Sequence, residues 1–344
     1  MTELVFVVPG QLDQLTGGYL YDRRIIEELR ARGRPVAVIE LDAGDPEREL
    51  AELVDRTRVV IDGLALPSLA GVIAAEARRL RLIALIHGPV AAEAGLAPVA
   101  AKQAAAVEAA LLSRMRGVVC PSRNTAAAVA GYGIAADRIA VVPPGTAKPD
   151  PPVPPRHRLV RALLCVANLL PRKGHGVLIE ALAEIGDLDW ALLSIGSVER
   201  DPATVREVRR LISSAGLDER ITLAGEEPPE VVGAAYRAAD LFVLPSFYEG
   251  YGMVYAEAMV HGLPIIATRA GAIPETVPPG AGLLVPPGDP VALSQALRRV
   301  LSDPAFAARL AAGSRAAGAR LPDWRKAAEQ WERVLHLCAL PAGQ

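Results

Sequence analysis

The chain has 344 residues, 51% of them hydrophobic and 4% aromatic, with a formal net charge of −2. That length predicts two separately packed cores. The near-neutral charge gives no general pull toward nucleic acid or an anionic membrane, and so few aromatic rings argue against a base-stacking surface.

The opening, MTELVFVVPG, has no basic stretch ahead of its apolar run, and that run is too short for a bilayer, so it reads as a first strand rather than a leader. Apolar runs near 4–9, 35–41, 57–62, 82–87, 117–120 and 138–142 predict strands, and helical patterns near 19–32, 46–55, 68–80, 98–115 and 122–131 alternate with them. Strands separated by helices imply βαβ units and a parallel sheet. The stretch PPGTAKPDPPVPP breaks the pattern, because proline at that density continues neither a helix nor a central strand. The expected organisation is a first domain over 1–142, a proline-rich linker over 143–160, a second domain over 161–322 and a final helix and tail over 323–344. In the second domain, strands are predicted near 161–167, 190–195, 220–224, 240–244, 264–268 and 282–285, with helices at 175–185, 202–215, 229–238, 252–261 and 290–301. Both halves therefore read as α/β, doubly wound parallel sheets, with ligands expected at the carboxyl ends of the strands in a cleft between them. Cys120, Cys165 and Cys338 lack metal-ligand spacing and read as reduced thiols, which places the chain in a reducing, cytoplasmic compartment.

The most informative segment is LPSFYEGYGMVYAEAM, a buried strand followed by a glycine turn and a helix. Gly250 and Gly252 permit close backbone approach, and N–H groups at the start of the following helix favour a phosphate. Glu249 and Glu257 bracket that turn and suit hydroxyl-rich groups on either side of the phosphate, which is the layout of a nucleotide-sugar. Acidic residues near a first helical turn are favoured by the helix dipole in any case, so the flanks carry the specificity: Pro245-Ser246 before the pair, and Gly262-Leu263-Pro264-Ile265-Ile266-Ala267 after it.

This run resembles the signature of family 4 glycosyltransferases, retaining enzymes of GT-B architecture in which seven residues separate two glutamates. The resemblance spans essentially the whole chain. It implies two Rossmann-like domains, and a last helix, with Trp324 and Trp331, that returns to the first domain. It also implies that Glu257 binds the ribose hydroxyls, Glu249 the transferred sugar, and the backbone of Gly250, Tyr251, Gly252 and Met253 the sugar and phosphate. GT-B enzymes generally need no catalytic metal, so neither a metal nor a cofactor is expected.

Three further places could carry chemistry. In Asn168-Leu-Leu-Pro-Arg172-Lys173-Gly174, between a strand and a helix, a lysine can set a point charge on a departing diphosphate. The segment is similar to the family's arginine and lysine five positions apart. Lys173 matches, whereas Asn168 stands where the arginine is expected, leaving Arg172 as a possible supplement. His87 ends LIALIHGP, where an imidazole suits either a sugar hydroxyl or the core; the resemblance implies contact with the donor sugar. Gly17-Gly18 closes the loop PGQLDQLTGG, in which Asp13 and Thr16 are candidate acceptor contacts. By contrast, Asp187 and Asp189 read as a solvated turn, Glu275 in GAIPE as a helix start beside the site, and Arg23, Arg24, Arg30, Arg32 and Arg34, interleaved with acids, as a solvated helix face rather than a strong membrane patch.

The expected activity is transfer of a sugar, of hexosyl type, from an α-linked nucleotide-diphosphate sugar to a hydroxyl of a sugar, lipid-linked or small-molecule acceptor, with retention and without metal. A nucleotide-sugar epimerase of the same architecture and a non-catalytic nucleotide-sugar-binding subunit are the alternatives.

Overall fold

The computed structural model describes residues 4–92, 97–154 and 159–338. It divides into two units, one formed by Met1–Gly145 with Pro322–Gln344 and the other by Thr146–Leu321. Part of the predicted linker, 155–158, and the last residues of the predicted tail, 339–344, lie outside the described residues.

In the first unit the order is β1 (Leu4–Val8), α1 (Gly17–Ala31), β2 (Val36–Glu40), α2 (Pro46–Ala51), β3 (Arg58–Asp62), α3 (Ala70–Glu76), β4 (Arg81–Leu85), α4 (Pro98–Leu112), β5 (Gly117–Cys120), α5 (Arg123–Ala130) and β6 (Ile139–Val141). All pairings are parallel, in the order β2-β1-β3-β4-β5-β6. The strands are near-continuous apolar runs because helices cover both faces: every residue of β1 is buried, as are Val59, Val60 and Ile61 of β3. The direction of winding reverses between β1 and β3, so the loops leaving those strands diverge and leave room for a ligand.

The second unit contains β7 (Ala162–Val166), α6 (His175–Ala183), β8 (Ala191–Ile195), α7 (Pro202–Ser214), β9 (Ile221–Gly225), α8 (Pro229–Ala238), β10 (Leu241–Leu244), α9 (Met253–Val260), β11 (Ile265–Thr268), α10 (Ile273–Thr276), β12 (Gly282–Val285), α11 (Pro290–Ser302) and α12 (Pro304–Arg320). Its parallel sheet runs β12-β11-β10-β7-β8-β9, and its switch point falls between β7 and β10. Within this unit Thr146 is buried, and Lys148 donates to the carbonyls of Gly318 and Leu321. That anchoring makes the start of the proline-rich stretch part of a packed unit.

The sequence patterns miss one long element, α12. Its stripe is alanine-rich and weakly apolar, but Asp303 accepts from the Phe306 N–H and Pro304 opens the first turn, both ordinary start signals. The helices expected over 46–55 and 68–80 are shorter than their patterns suggest, ending at Ala51 and Glu76.

The last helix, α13 (Trp324–Leu337), belongs to the first unit. Trp331 is fully buried against Phe6, with ring centroids 5.8 Å apart, and its indole N–H donates to the Tyr21 hydroxyl at 2.9 Å. That hydroxyl in turn donates to the Val142 carbonyl at 2.8 Å. Cys120 and Cys165 are buried free thiols, and burial pushes each up to about 12. Asp187 is bound by Arg298 at 2.7 Å and Asp189 by Arg161 at 2.8 Å, which makes them ion-paired surface residues.

Candidate active site

In the second unit the site is built at the switch point, where the loops after β7 and β10 are tied together. The Phe247 N–H donates to the Arg172 carbonyl at 2.7 Å. Between them Gly174 adopts φ +71°, and a Cβ there would lie 2.3 Å from the Pro245 carbonyl oxygen. Only glycine meets both the left-handed backbone and that approach. The consequence is that Lys173, one residue earlier, is held against the turn that carries Glu249.

The Lys173 ammonium lies 2.6 Å from Oε1 of Glu249, Arg172 reaches Oε2 at 3.7 Å, and the Ser246 hydroxyl donates to Oε1 at 2.7 Å. Thr268 fixes Ser246 in turn by donating to its carbonyl. Burial alone would raise the Glu249 carboxyl, but Lys173 and Arg172 outweigh it and hold the group below its usual range. Burial pushes the Lys173 ammonium down, with Glu249 opposing. The pair is an ion pair nearly enclosed by protein.

The glycine turn leads directly into α9. Gly252, at φ +83°, precedes its first residue, Met253, and the Thr276 hydroxyl donates to the Tyr251 carbonyl. Glu275 lies on α10, the short helix that presents Thr276. On the next turn of α9, Oε2 of Glu257 accepts from the Tyr236 hydroxyl at 2.9 Å. Burial raises Glu257 to about 7, against the lowering effect of that hydrogen bond. Asn168, at the end of β7, accepts on its side-chain oxygen from the Ser197 N–H at 2.8 Å. It therefore ties the β7 loop to the β8 loop, and its amide N–H groups are what it can offer a phosphate.

In the first unit His87 follows β4. Its Nε2 lies 3.0 Å from Oδ1 of Asp22 on α1 and 3.3 Å from Oδ2 of Asp62 at the end of β3. Gly18 stands against the ring: a Cβ there would lie 3.1 Å from Cδ2 of His87. Gly17 opens α1, with Thr16 as its extended N-cap residue making no side-chain cap bond. Asp13 is exposed, accepts from Arg23 on its carbonyl, and lines a surface depression of about 550 Å³ with Arg23, Arg30 and Glu40. That depression does not include His87. Asp22, Asp62 and His87 also form a cluster, among the described residues, whose ligand atoms are close enough together for a cation.

The sequence patterns give no site role to Asp62 or Tyr236, use Ser246 only as a flank of the signature, and read Asp22 among the acids interleaved on a solvated helix face, whereas it is fully buried. Asp22 and Asp62 carry a local signal of burial, though none of their meeting with His87. Asp22 is a carboxylate on the apolar stripe of α1 beside Ile25, Ile26 and Leu29, and Asp62 ends a buried strand one sheet position from His87.

Two Rossmann-like units of this topology, with a lysine, two glutamates and a glycine turn at the second switch point, have the architecture called GT-B. More particularly, residues 59–147 match the family described as Glycosyltransferase Family 4 and residues 160–303 the family described as Glycosyl transferases group 1. The chain is similar to the D-inositol 3-phosphate glycosyltransferase of Corynebacterium efficiens, 38% identical over 154 residues, covering 43% of this chain and 36% of that relative. It is likewise similar to the enzyme of that name from Xylanimonas cellulosilytica, 34% identical over 213 residues, covering 57% and 51%. A GDP-mannose-dependent alpha-(1-6)-phosphatidylinositol monomannoside mannosyltransferase of Mycolicibacterium smegmatis is 33% identical over 163 residues, covering 44% and 42%. These matches span about half, or less, of each relative's length. Among solved structures, sucrose-phosphate synthase from Thermosynechococcus elongatus superposes with a TM-score of 0.82 at 24% identity, covering 97% of this chain and 98% of that one. Anabaena HepE in complex with UDP and glucose superposes with a TM-score of 0.76 at 20% identity, covering 98% and 100%. At such identities these two structures speak to fold.

Proposed function

We propose that the chain is a retaining, hexosyl-type glycosyltransferase that moves a sugar from an α-linked nucleotide-diphosphate donor to an acceptor hydroxyl, giving an α-glycoside without a divalent metal. The observation that carries this reading is the placing of Lys173 2.6 Å from Glu249 at the β7/β10 switch point, beside a glycine turn that opens α9 and leads to Glu257. In this reading Glu257 takes the ribose hydroxyls, Glu249 the sugar, and the backbone from Gly250 to Met253 the sugar and phosphate. Lys173, with Asn168 and Arg172, receives the charge that develops on the diphosphate as the bond to C1 breaks. The acceptor oxygen bonds to C1 on the same face, and its proton passes to a phosphate oxygen of the leaving group. In the first unit, His87, Gly17 and Gly18 are the residues to test for an effect on the donor, and Asp13 and Thr16 those to test for an effect on the acceptor.

The named relatives direct the choice of substrates: UDP- and GDP-sugars as donors, and inositol phosphates or phosphoinositides as acceptors. Among the described residues no helix is long and apolar enough to cross a membrane. We place the enzyme in the reducing cytoplasm on the strength of its free thiols. A panel of nucleotide-sugars with and without these acceptors tests the activity. Product carrying the α linkage, formed equally after dialysis against a chelator, is the expected result. Free epimerised nucleotide-sugar without transfer, or activity restored only by Mg²⁺ or Mn²⁺, would overturn it.

A further inference from the structure

His87 meets protein carboxylates through one ring nitrogen only. Its Nε2 faces Asp22 at 3.0 Å and Asp62 at 3.3 Å, from two different elements, α1 and the end of β3. Both carboxylates are themselves fixed. Asp22 is fully buried on the inner stripe of α1, and Oδ1 of Asp62 accepts from the Leu64 N–H at 2.7 Å, which leaves Oδ2 turned to the ring. The edge of the Tyr21 ring closes a third side, with centroids 5.3 Å apart and planes at 77°. A nitrogen facing two ionised carboxylates must carry hydrogen. Three walls and one committed nitrogen leave Nδ1 as the ring atom for anything else.

We propose that Asp22 and Asp62 are positioning residues that fix His87 with Nε2–H bound to protein, so that Nδ1–H is offered to a ligand oxygen and the ring acts as a charged donor, never as a base. The identity of that oxygen, a hydroxyl of the donor sugar, rests on the proposed sugar transfer; the state of the ring does not. The charges agree with the geometry. Burial opposes charge on His87, but the two carboxylates outweigh it and raise the ring to about 10. Asp22 is the group that yields: burial, opposed by His87 and reinforced by the neighbouring Asp62 carboxylate, raises it to about 7. Tyr19, raised first by burial and then by Asp62, Asp42 and Asp22, remains a neutral phenol beside the cluster and supplies no competing charge.

Nitrogen-15 spectra of the histidine rings read this state directly, with His87→Asn supplying the assignment. In the full wild-type chain the His87 ring should keep the imidazolium pattern at about pH 8, where an ordinary histidine is neutral. Asp22→Asn and Asp62→Asn should each return it toward the neutral pattern while the other histidines stay unchanged, and Asp22→Glu should restore it. With a turned-over donor, the same two variants should raise the donor KM about tenfold and shift its pH profile downward. A neutral wild-type ring at pH 8, or one unmoved by both asparagine variants, would overturn the proposal. So would Mn²⁺ broadening of the His87 signals that disappears in Asp22→Asn, because the cluster would then hold a cation in place of the proton. If Asp22→Asn does not fold, the Asp62 variant decides between these outcomes. The ring spectra report the protonation state whether or not a sugar is transferred.

Discussion

Lys173 and Glu249 satisfy each other: the ammonium of one, on the loop after β7, sits 2.6 Å from the carboxylate of the other, on the turn after β10. On the proposed function, a donor diphosphate must therefore share a lysine that already has a partner. Sharing is feasible because Ser246 and Arg172 also serve Glu249 and can hold its charge while the ammonium turns to phosphate.

Lys173→Ala should lower kcat by about 10² to 10³, the usual effect of removing one preorganised group facing developing charge. It should also destabilise the fold by about 3 kcal/mol, because a buried carboxylate loses its main partner. Initial rates normalised to folded protein separate the two effects. A near wild-type kcat would make Arg172 the phosphate partner, and Asn168→Arg should then raise the rate further.

Glu257 gives a pH dependence of definite sign. In the folded chain it keeps its proton up to about 7, whereas an unfolded glutamate releases it near the ordinary value of 4.5. Between those values the folded state binds the additional proton, so the stability this group contributes falls as pH rises through that window and then levels. Free-nucleotide affinity should move the opposite way, strengthening toward pH 7 as the carboxylate forms to accept ribose hydroxyls. Tyr236→Phe removes the hydrogen bond that favours ionisation and should displace the affinity midpoint to higher pH. Isothermal titration across pH 5 to 9 checks it, with Glu257→Gln as the variant that should show no such midpoint.

Gly174→Ala should cost about 1–3 kcal/mol through its positive φ, and more through the forced separation of its Cβ from the Pro245 carbonyl. Since that separation moves Lys173 away from Glu249, donor KM and kcat should both worsen even in the folded fraction. Chemical denaturation alongside kinetics would expose a purely structural effect as a loss of stability with unchanged kcat.

Tyr21→Phe should cost about 1–3 kcal/mol, because it leaves the buried Trp331 indole N–H without its acceptor. A melting temperature unchanged within error would show that the indole finds another partner.

The two sheets were readable because their strands are continuous apolar runs bounded by glycine and proline, as LFVLP shows at β10. The residues proposed for the donor stand out in the sequence because turn, helix start and charge fall within one short stretch. Asp22 and Asp62 do not, since Asp22 and His87 meet across 65 residues of chain and no local pattern records the meeting. Helix α12 escaped for a different reason: an alanine-rich face buries too little apolar area to stand out as a stripe, although its start is plainly signalled at Asp303 and Pro304.

The burial of Trp331 beside Phe6 sets an order of assembly. Synthesis delivers β1 through β6 first, yet the indole that covers Phe6 and occupies Tyr21 arrives only after all of Thr146–Leu321 has been made. The nascent first unit therefore waits with an open apolar seam while the later one completes, and chains released before residue 331 carry that seam exposed to chaperones and proteases.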